Sequence, residues 1–349
     1  MKKSIAVIFG GQSSEHEVSC LSAANILNGL DTNKYEVHRI GITKDGRWLY
    51  VEDVETFYDG SWSKGNVTAV ISPDRKDAGI WKFSGECREV IPVDVIFPIL
   101  HGKYGEDGCI QGLFELSGIP YVGCDVISSA VSMDKISTKI LANNVGVRQA
   151  AYVADTVKDD SGIAAVIEEA EKKLGYPIFV KPSNAGSSIG VSRANNQEEL
   201  QEALRLAKKH DSRVLIEESI CGREVECAVL GGWEPEASKV GEILAAAEFY
   251  DYDDKYINSE SKTVFDPDLP EEVKETIRTK AVEIFKAVNG FGLARVDFFV
   301  EKDTNEVIFN EINTMPGFTD ISMYPKLWEW MGIDKFKLID TLIELAYER

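Results

Sequence analysis

With 349 residues, the chain is long for a single hydrophobic core, and two or three domains are expected. Its formal net charge of −20 argues against nucleic acid and anionic membranes as main partners, because both bind basic surfaces. No apolar run approaches the roughly 20 residues of a membrane span, and residues 5–9 are too few for a signal-peptide core. The six cysteines form no CxxC pair, so we expect free thiols and a cytoplasmic protein.

Residues 1–132 alternate strand-like and helix-like segments. Strands are expected at SIAVIFGG (4–11), YEVHRIGIT and DVIFPILHG (94–102), and helices at 15–30 and 110–118. Such alternation predicts an α/β fold with a parallel, doubly wound sheet. Ligands of these sheets bind beyond the carboxyl ends of the strands. The segments GGQSSEHEVS (10–19) and HGKYGEDG (101–108) occupy that position.

From residue 133 the pattern changes. Helices are expected at 133–146, 161–175, 196–210 and 271–289, and a strand pair at 214–220 and 224–231. We therefore expect an N-terminal domain (1–132), a central part (133–213) and a C-terminal part (214–349). Residues 249–270 form a long, weakly hydrophobic segment that predicts a lid, because loops of this length in compact domains are usually functional or disordered.

The segment GLARVDFFVEKDTNEVIFNEINT (292–314) predicts a β-hairpin with its turn at DTN. In that register Asp297 faces Glu311. Arg295 then faces Asn313 on the same side of the ribbon, since side chains alternate with period two. The opposite, core-facing side would carry Val296, Phe298, Val300, Ile308 and Ile312. A slip of one residue would exchange the two faces.

The two carboxylates at positions 297 and 311 would repel each other unless a cation lies between them. Hard oxygen donors from Asp, Glu and Asn suit Mg²⁺ or Mn²⁺, and Mg²⁺ typically shares its ligands with substrate phosphates. Further along the same side, Phe299, Val307 and Phe309 could receive a flat apolar ring. The alternative is an exposed hairpin face with solvated acids.

Phosphate-binding groups are expected outside the hairpin. KPSNAGSSIGV (181–191) offers Lys181, then a loop whose glycines let the backbone approach an anion and whose Ser187 and Ser188 add donors. It is not a P-loop, and a simple hairpin turn would have a similar sequence. Lys135 is a second candidate cation, although a surface lysine is the alternative. The carboxylates Glu217, Glu218 and Glu224 could accept from adenine or ribose, or could form a charged turn.

Taken together, these motifs resemble the ATP-grasp superfamily and, within it, the D-alanine–D-alanine ligases. The matching blocks follow one another along the whole chain: GGQSSEHEVS, LHGKYGEDGCIQG, MDK, FVKPSNAGSSIGV, EFYDYDDKY, ARVDFF, NEINTMPGFT and SMYP. The resemblance implies an N-terminal doubly wound sheet followed by two ATP-grasp subdomains of α+β type. It also implies two-step chemistry, in which the first D-alanine carboxylate takes the γ-phosphoryl group of ATP and the second D-alanine amine attacks the resulting acylphosphate.

The resemblance assigns roles at matching positions. Asp297, Glu311 and Asn313 would bind two Mg²⁺ (or Mn²⁺) ions. ATP would contact Lys135, Phe179, Lys181, Ser187, Ser188, Glu217, Glu218, Ser219, Ile220, Glu224, Phe249, Phe299 and Asn310. Fixed donors in a dry site stabilise a developing oxyanion, the role implied for Arg295 and the Gly317 amide.

Further implied roles concern the amino-acid substrates and the lid. Glu15 would take the ammonium of the first D-alanine, with His101 nearby, although a lone histidine after a strand is often structural. Ser322 would hold the second carboxylate. Lys255 and Tyr256 would close the lid, with Tyr256 bonded to Ser187 and Ser187 to Glu15, because water would hydrolyse the acylphosphate.

The second substrate is D-alanine, D-serine or D-lactate, since vancomycin-resistance relatives use the latter two. Both resistance types tend to carry Arg where this chain has Met323, so Met323 beside Tyr256 favours D-alanine. A non-catalytic ATP-binding sensor would be expected to lose metal ligands, which are all present. Other ATP-grasp ligases would lack the GGQSSEHEVS block. A homodimer is usual in the family.

Overall fold

The computed structural model describes residues 2–157, 162–244 and 262–349, and its N-terminal part is a seven-stranded sheet. The strands are β1 (Lys3–Gly10), β2 (Tyr35–Ile42), β3 (Trp48–Tyr50), β4 (Thr68–Ile71), β5 (Ile80–Ser84), β6 (Cys87–Ile91) and β7 (Val95–Pro98). Their order is β6-β5-β4-β3-β2-β1-β7. β1 pairs in parallel with β2 and β7, as the alternation predicts, whereas β3 to β6 extend the sheet as antiparallel strands that the sequence pattern did not indicate.

Helices cover both faces of the parallel strands. They are α1 (His16–Gly29), α2 (Val54–Tyr58) and α3 (Cys109–Ser117). The next helix, α4 (Val126–Met133), packs on α3 and on the strand at 307–313. Strand β1 is a continuous apolar run because it is covered on both sides, and its residues 5–9 are fully buried. Its carboxyl end leads into α1, so the segment 10–19 lies at the ligand-binding edge of the sheet.

A four-stranded antiparallel sheet forms the middle of the chain. Its strands are β9 (Tyr152–Thr156), β10 (Ile178–Pro182), β11 (Ser192–Ala194) and β12 (Arg213–Glu218), in the order β11-β10-β12-β9. The amphipathic helices α6 (Ile163–Lys173) and α7 (Gln197–Ala207) cover one face and share a core with it. Lys181 lies near the end of β10, directly before the loop 183–191.

A six-stranded sheet forms the C-terminal part. It contains β8 (Arg148–Gln149), β13 (Gly222–Gly231), β14 (Glu236–Leu244), β15 (Lys262–Phe265), β16 (Gly292–Glu301) and β17 (Val307–Asn313), in the order β15-β14-β13-β16-β17-β8. Helices α5 (Lys135–Asn144) and α8 (Glu271–Ala287) pack on one of its faces. Helices α9 (Met323–Trp330) and α10 (Lys335–Leu345) share a core with the N-terminal sheet.

Two expected elements differ in the structure. The helix expected at 133–146 is divided at Asp134, which ends α4 and caps α5 by accepting from the Ser137 amide at 2.8 Å. The strands expected to pair at 214–220 and 224–231 belong to different sheets, because β12 pairs with β9 and β10 while β13 pairs with β14 and β16. The change of sheet therefore falls after Glu218, and the domain limits themselves stay a prediction.

The hairpin β16–β17 follows the expected register over its first half only. Asp297 pairs with Glu311 and Arg295 pairs with Asn313, as predicted. A β-bulge then follows Asp297, with Asn310 as the extra residue, and Phe298 pairs with Phe309. Because of this shift, Val307 and Phe309 join the buried core beside Phe298 and Val300. The placement of Val307 beside Phe299 was therefore wrong, whereas Phe309 lines a cavity together with Phe299. Ile308, expected on the core side, pairs with Phe299 instead.

All six cysteines are free thiols, as expected. Across the described ranges, no helix combines the length and the apolar character needed to cross a membrane.

Candidate active site

A cavity of about 800 Å³ lies between the four-stranded and the six-stranded sheet and reaches the carboxyl edge of the N-terminal sheet. Most candidate residues from the sequence line it: Glu15, Lys135, Phe179, Lys181, Ser187, Ser188, Glu217, Glu218, Ser219, Ile220, Glu224, Phe299, Asn310, Glu311 and Asn313. Its wall does not include His101, Arg295, Asp297, Gly317, Ser322 or Met323. Phe249, Lys255 and Tyr256 lie outside the described residues.

Glu217 is the centre of a buried charge cluster. It lies on β12, and its two carboxylate oxygens are each 2.5 Å from a lysine Nζ, one from Lys139 and one from Lys181. Burial would raise the pKa of Glu217, but the two lysines outweigh this and lower it to about 2. Burial lowers the pKa of Lys181, yet Glu217 and the more distant Glu311 and Glu224 raise it overall. Both groups are therefore charged at neutral pH.

Lys135 connects the helix α5 to the hairpin. Its Nζ lies 3.1 Å from Glu311 Oε2 and donates to the Ala185 carbonyl at 3.2 Å. The first residue of α5 thus reaches both the loop after β10 and the carboxylate on β17. Lys135 and Lys181 consequently approach the cavity from two elements, as a pair of phosphate ligands requires.

The acidic end of the hairpin has an oxygen-rich donor set. Asp297 is 2% exposed and accepts from Arg295 Nε at 2.8 Å and Nη2 at 2.7 Å. Asn313 Nδ2 also donates to Asp297 Oδ2 at 3.0 Å. Glu311 completes the group on the neighbouring strand.

These oxygen donors fit Mg²⁺ or Mn²⁺. In the part of the chain that the structure describes, no group of three or more His, Cys, Asp or Glu side chains could hold a metal ion by itself. A cation that also binds substrate phosphates needs only one or two protein carboxylates, which Asp297 and Glu311 provide. Asn313 can add an amide oxygen once its side chain turns.

The loop after β10 has an unusual backbone. Ser187 and Ser188 adopt left-handed conformations, with φ of 48° and 57°. Non-glycine residues in this region are uncommon and cluster at functional sites. The Ser187 hydroxyl is buried and has no hydrogen-bond partner in the part of the chain that the structure describes. Gly186 lies against the carboxylate of Glu15, because a Cβ at Gly186 would lie 2.7 Å from Glu15 Oε2 and would displace that side chain.

Glu15 and Glu106 form a carboxyl pair at the N-terminal edge of the cavity. Glu15 begins α1, is 7% exposed and contacts both Gly102 and Gly186. Glu106 accepts from the amides of Gly102 at 2.8 Å and Met315 at 3.1 Å. Burial, and next the negative charge of Glu15, raise the pKa of Glu106 to about 8.

His101 uses both ring nitrogens within the protein. Nδ1 donates to the Met315 carbonyl at 2.9 Å, and Nε2 accepts from the Ser22 hydroxyl at 3.1 Å. Burial lowers the pKa of His101 to about 4, so the ring is neutral at pH 7. Ser22 also accepts from the Phe318 amide at 3.1 Å, and Asn25 Nδ2 donates to the Phe318 carbonyl at 2.7 Å. His101 and α1 therefore fix the segment NTMPGF against the N-terminal domain.

Gly317 belongs to that segment, and Ser322 and Met323 follow it at the start of α9. Ser322 is the N-cap residue of α9, and its Oγ accepts from the Thr319 amide at 3.0 Å. Gly317 packs directly against it, since a Cβ there would lie 2.9 Å from Ser322 Oγ. Met323 is 5% exposed and its Sδ packs on Gly241 in the core between α9 and β14. Within the described structure, the Met323 side chain thus faces protein rather than the cavity.

Sequence reasoning missed several polar residues of the site: Ser22, Asn25, Glu106, Lys139 and Glu226. Two of them carried a signal. Lys139 follows Lys135 by four residues, so a helix places both on one face. Glu226 follows Glu224 by two residues in a strand, so both face the cavity side of the sheet. Ser22, Asn25 and Glu106 act through tertiary contacts that no local spacing reveals.

Two family models match the chain. The model described as D-ala D-ala ligase N-terminus matches residues 4–124, and the one described as D-ala D-ala ligase C-terminus matches residues 141–344. A D-alanine–D-alanine ligase from Acetivibrio thermocellus is 53% identical to this chain, covering 100% of this chain and 96% of the relative. A relative of the same name from Clostridium acetobutylicum is 48% identical, covering 100% of this chain and 99% of the relative.

Two solved structures are similar to this chain over nearly its whole length. The D-alanine–D-alanine ligase from Coxiella burnetii matches with a TM-score of 0.86 and 39% identity, covering 100% of this chain and 94% of that one. The VanG D-Ala:D-Ser ligase from Enterococcus faecalis matches with a TM-score of 0.89 and 39% identity, covering 99% of this chain and 100% of that one.

Proposed function

This chain belongs to the D-alanine–D-alanine ligase family, and we propose that it joins two D-alanine molecules into D-alanyl-D-alanine for peptidoglycan precursor synthesis, using ATP. The observation that carries this proposal is one cavity with two opposed sets of groups. The carboxylate Glu311 and the amide Asn313 line it from the hairpin, and Lys135, Lys181 and the loop at Ser187 line it from other elements, with Lys135 Nζ 3.1 Å from Glu311 Oε2. A metal-bridged triphosphate could bind to both sets, its cation to the oxygen donors and its phosphates to the lysines.

The nucleotide would lie with its base near the apolar end of the cavity. Phe179, Ile220 and Phe299 line that end, with the backbone at Glu218–Ile220 available for the adenine edge and Glu224 for the ribose. Lys135 and Lys181 would hold the phosphates together with the amides of Ser187 and Ser188. Asp297, Glu311 and Asn313 would hold Mg²⁺ or Mn²⁺, two ions in our proposal. When bound, the cations would neutralise charge on the transferred phosphoryl group.

The first D-alanine would bind between the phosphates and the N-terminal domain. Glu15 would accept the substrate ammonium, because its carboxylate lies against Gly186 of the phosphate loop and against Gly102. The substrate carboxylate would then face the γ-phosphate and become the acylphosphate. Arg295 and the Gly317 amide would stabilise the oxyanion that forms when the second amine attacks. His101 would act by holding the segment at Met315 rather than by moving a proton, since both of its nitrogens are engaged.

The identity of the second substrate depends on the relatives more than on Met323. Curated relatives at about half identity or more carry the name D-alanine–D-alanine ligase, whereas a solved relative at 39% identity is a D-Ala:D-Ser ligase. D-Alanine is therefore favoured over D-serine. The sequence argument from Met323 is weaker than expected, because the side chain is packed on Gly241. Ser322, at the start of α9, would hold the carboxylate of the second substrate.

We also propose three sequence-based features that complete this picture. These are domain boundaries after residues 132 and 213, a cytoplasmic location in keeping with the six free thiols, and a homodimer. Sedimentation velocity tests the dimer directly.

Phosphate release against a panel of D-amino and D-hydroxy acids tests the function. We expect release with D-alanine alone, with D-alanyl-D-alanine as the product by mass spectrometry. Purified Asp297→Asn should release no phosphate above background while retaining the circular dichroism spectrum of the parent. D-Alanyl-D-serine or D-alanyl-D-lactate as the main product in a mixed assay at pH 7 would overturn the choice of second substrate. Release with no D-amino acid dependence would overturn the ligase assignment.

A further inference from the structure

A third buried carboxylate lies in line with the two of the hairpin. Glu226 on β13 pairs directly with Asp297 on β16, which pairs with Glu311 on β17. Directly paired residues point to the same face of a sheet, so the three carboxylates form one row across three strands. Glu226 is 4% exposed. A carboxylate this buried needs a cationic or hydrogen-bonding partner to remain charged.

Arg295 lies between two members of this row. Its guanidinium makes two hydrogen bonds to Asp297, at 2.8 and 2.7 Å, which engage both oxygens of that carboxylate. Its Nε also lies 3.2 Å from Glu226 Oε2. The Arg295 guanidinium is thus shared between two carboxylates. It makes two hydrogen bonds to Asp297 and lies within ion-pair distance of Glu226.

A divalent cation changes this balance. The cation requires oxygens of Asp297 and repels the guanidinium that occupies them. Arg295 must then release Asp297, and a buried guanidinium without a carboxylate would be strongly destabilised. Glu226 already lies beside Arg295 and on the side away from Glu311, so it can receive the guanidinium with a small movement.

We propose that Glu226 is a positioning residue that takes over the Arg295 guanidinium when a divalent cation binds Asp297. In this arrangement Arg295 stays beside the reacting carboxyl carbon while Asp297 is free for the cation. The proposal rests on the metal and oxyanion roles given above to Asp297 and Arg295. It adds a residue that none of the motifs quoted above contains.

A double-mutant cycle tests this exchange without relying on turnover. Mn²⁺ binding in the presence of ADP is measured by electron paramagnetic resonance for the parent, Glu226→Gln, Arg295→Met and the double variant. We expect Glu226→Gln to weaken Mn²⁺ binding about 10-fold in the parent, because Arg295 then stays on Asp297. In the Arg295→Met background the same substitution should change binding less than about 2-fold. Equal weakening in both backgrounds would overturn the proposal, since it would indicate only a lost negative charge or a structural defect.

Two controls separate the possible failures. Glu301→Gln removes another carboxylate of the strand that carries Asp297, one that lies outside the cavity wall and 3.7 Å from Arg148, and it should leave Mn²⁺ binding within about 2-fold. Asp297→Asn should abolish Mn²⁺ binding. If it does not, the metal site of the proposed function is wrong. If it does while the cycle shows no coupling, the role of Glu226 alone is wrong.

A kinetic readout completes the test. Glu226→Gln should lower kcat while changing KM for D-alanine little, because Arg295 acts on the developing oxyanion rather than on substrate binding. Glu226→Asp, which keeps the charge, should recover much of kcat. Glu226→Asp behaving like Glu226→Gln in both kcat and Mn²⁺ binding would count against a charge-receiving role.

Discussion

The two halves of the cavity neutralise their buried carboxylates in different ways. In the nucleotide half, Glu217 is held between Lys139 and Lys181, and Glu311 contacts Lys135. These ion pairs exist within the protein itself, so the lysines are already in place for phosphates. When a phosphate binds there, a lysine exchanges its carboxylate partner for a phosphate oxygen.

The amino-acid half has no comparable set of lysines among its described contacts. Glu106 accepts from two backbone amides and has a pKa raised to about 8 by burial and by Glu15. The nearby imidazole of His101 is neutral. A substrate ammonium would offset the repulsion between the two carboxyl groups. The nucleotide half is thus arranged for an anion and the amino-acid half for a cation, which is the polarity that an ATP-dependent amino-acid ligase requires.

The largest effect is expected where cation and nucleotide meet. Glu311→Gln should lower kcat by about 10³-fold or more, because it removes a bridging negative charge with little change in volume. Steady-state ATP turnover at saturating Mg²⁺ measures the effect. The melting temperature should remain within a few degrees of the parent.

The matched control is Glu306→Gln at the other end of the same hairpin. Glu306 contacts Arg148 on the surface, so its substitution should change kcat less than about 2-fold. Parent-like activity of Glu311→Gln would show that the acidic end of the hairpin does not serve the metal.

This same hairpin shows how far sequence reasoning extends. A turn centred on Thr304 pairs Asp297 with Glu311, which the structure confirms, but beside the turn Val300 pairs with Val307, one residue away from that register. The bulge at Asn310 makes up this difference, so the correct pairing of the two carboxylates depends on a bulge that the sequence did not indicate. Nothing in VIFN distinguishes a regular strand from a bulged one, so the faces of Val307 and Phe309 were not predictable. Functional residues that lie on one hairpin could be predicted from the sequence. The residues of other helices and strands that contact them could not.

The N-terminal sheet gives the same lesson at larger scale. The strands β1, β2 and β7 were predictable from apolar runs joined by helices. The antiparallel strands β3 to β6 are short and half-exposed, so their pattern lacks the long apolar runs of buried strands. Glu106 was visible as part of GEDG, but its contact with the Met315 amide joins residues 209 positions apart.

The amino-acid half gives the next largest effect. Glu15→Gln should raise KM for D-alanine at the first subsite about 100-fold, because a neutral amide loses the charge interaction with the ammonium. KM for ATP should stay within about 2-fold. Glu17→Gln is the control on the same helix, since Glu17 is exposed and pairs with Lys44 at the surface. A rise in KM for ATP as large as that for D-alanine would indicate that Glu15 supports the phosphate loop instead.

Lowering the pH should reduce the free energy of unfolding, because protonation of His101 is disfavoured in the folded protein. Its folded-state pKa of about 4 lies below the unfolded value of about 6.5. The unfolded chain therefore binds a proton first as the pH falls, so this contribution to stability is present above pH 6.5 and is lost between pH 6.5 and 4. Between pH 6.5 and 5 the loss should be about 2 kcal/mol.

Urea unfolding at these two pH values measures that loss. His101→Phe lacks the titrating group and should show a correspondingly smaller change, whereas His210→Phe, on a more exposed histidine, should retain the parental change. An equal pH dependence in the parent and His101→Phe would contradict a buried neutral imidazole.

The smallest effect is expected at Lys139, which supports the nucleotide half from behind. Lys139 is 2% exposed and lies 2.5 Å from Glu217. In Lys139→Met, Glu217 keeps only Lys181, so Lys181 is held more tightly and is less available to phosphate. We expect KM for ATP to rise about 10-fold with kcat changed little, because the lost interaction affects binding in ground state and transition state alike. Lys173→Met removes a cation that shares the Tyr152 ring with Lys139 but is not paired with Glu217, and it should leave KM for ATP within about 2-fold. If Lys139→Met instead lowered kcat at saturating ATP, Glu217 and its lysines would belong to the reacting centre, and the division of the cavity into an anion-binding and a cation-binding half would have to be redrawn.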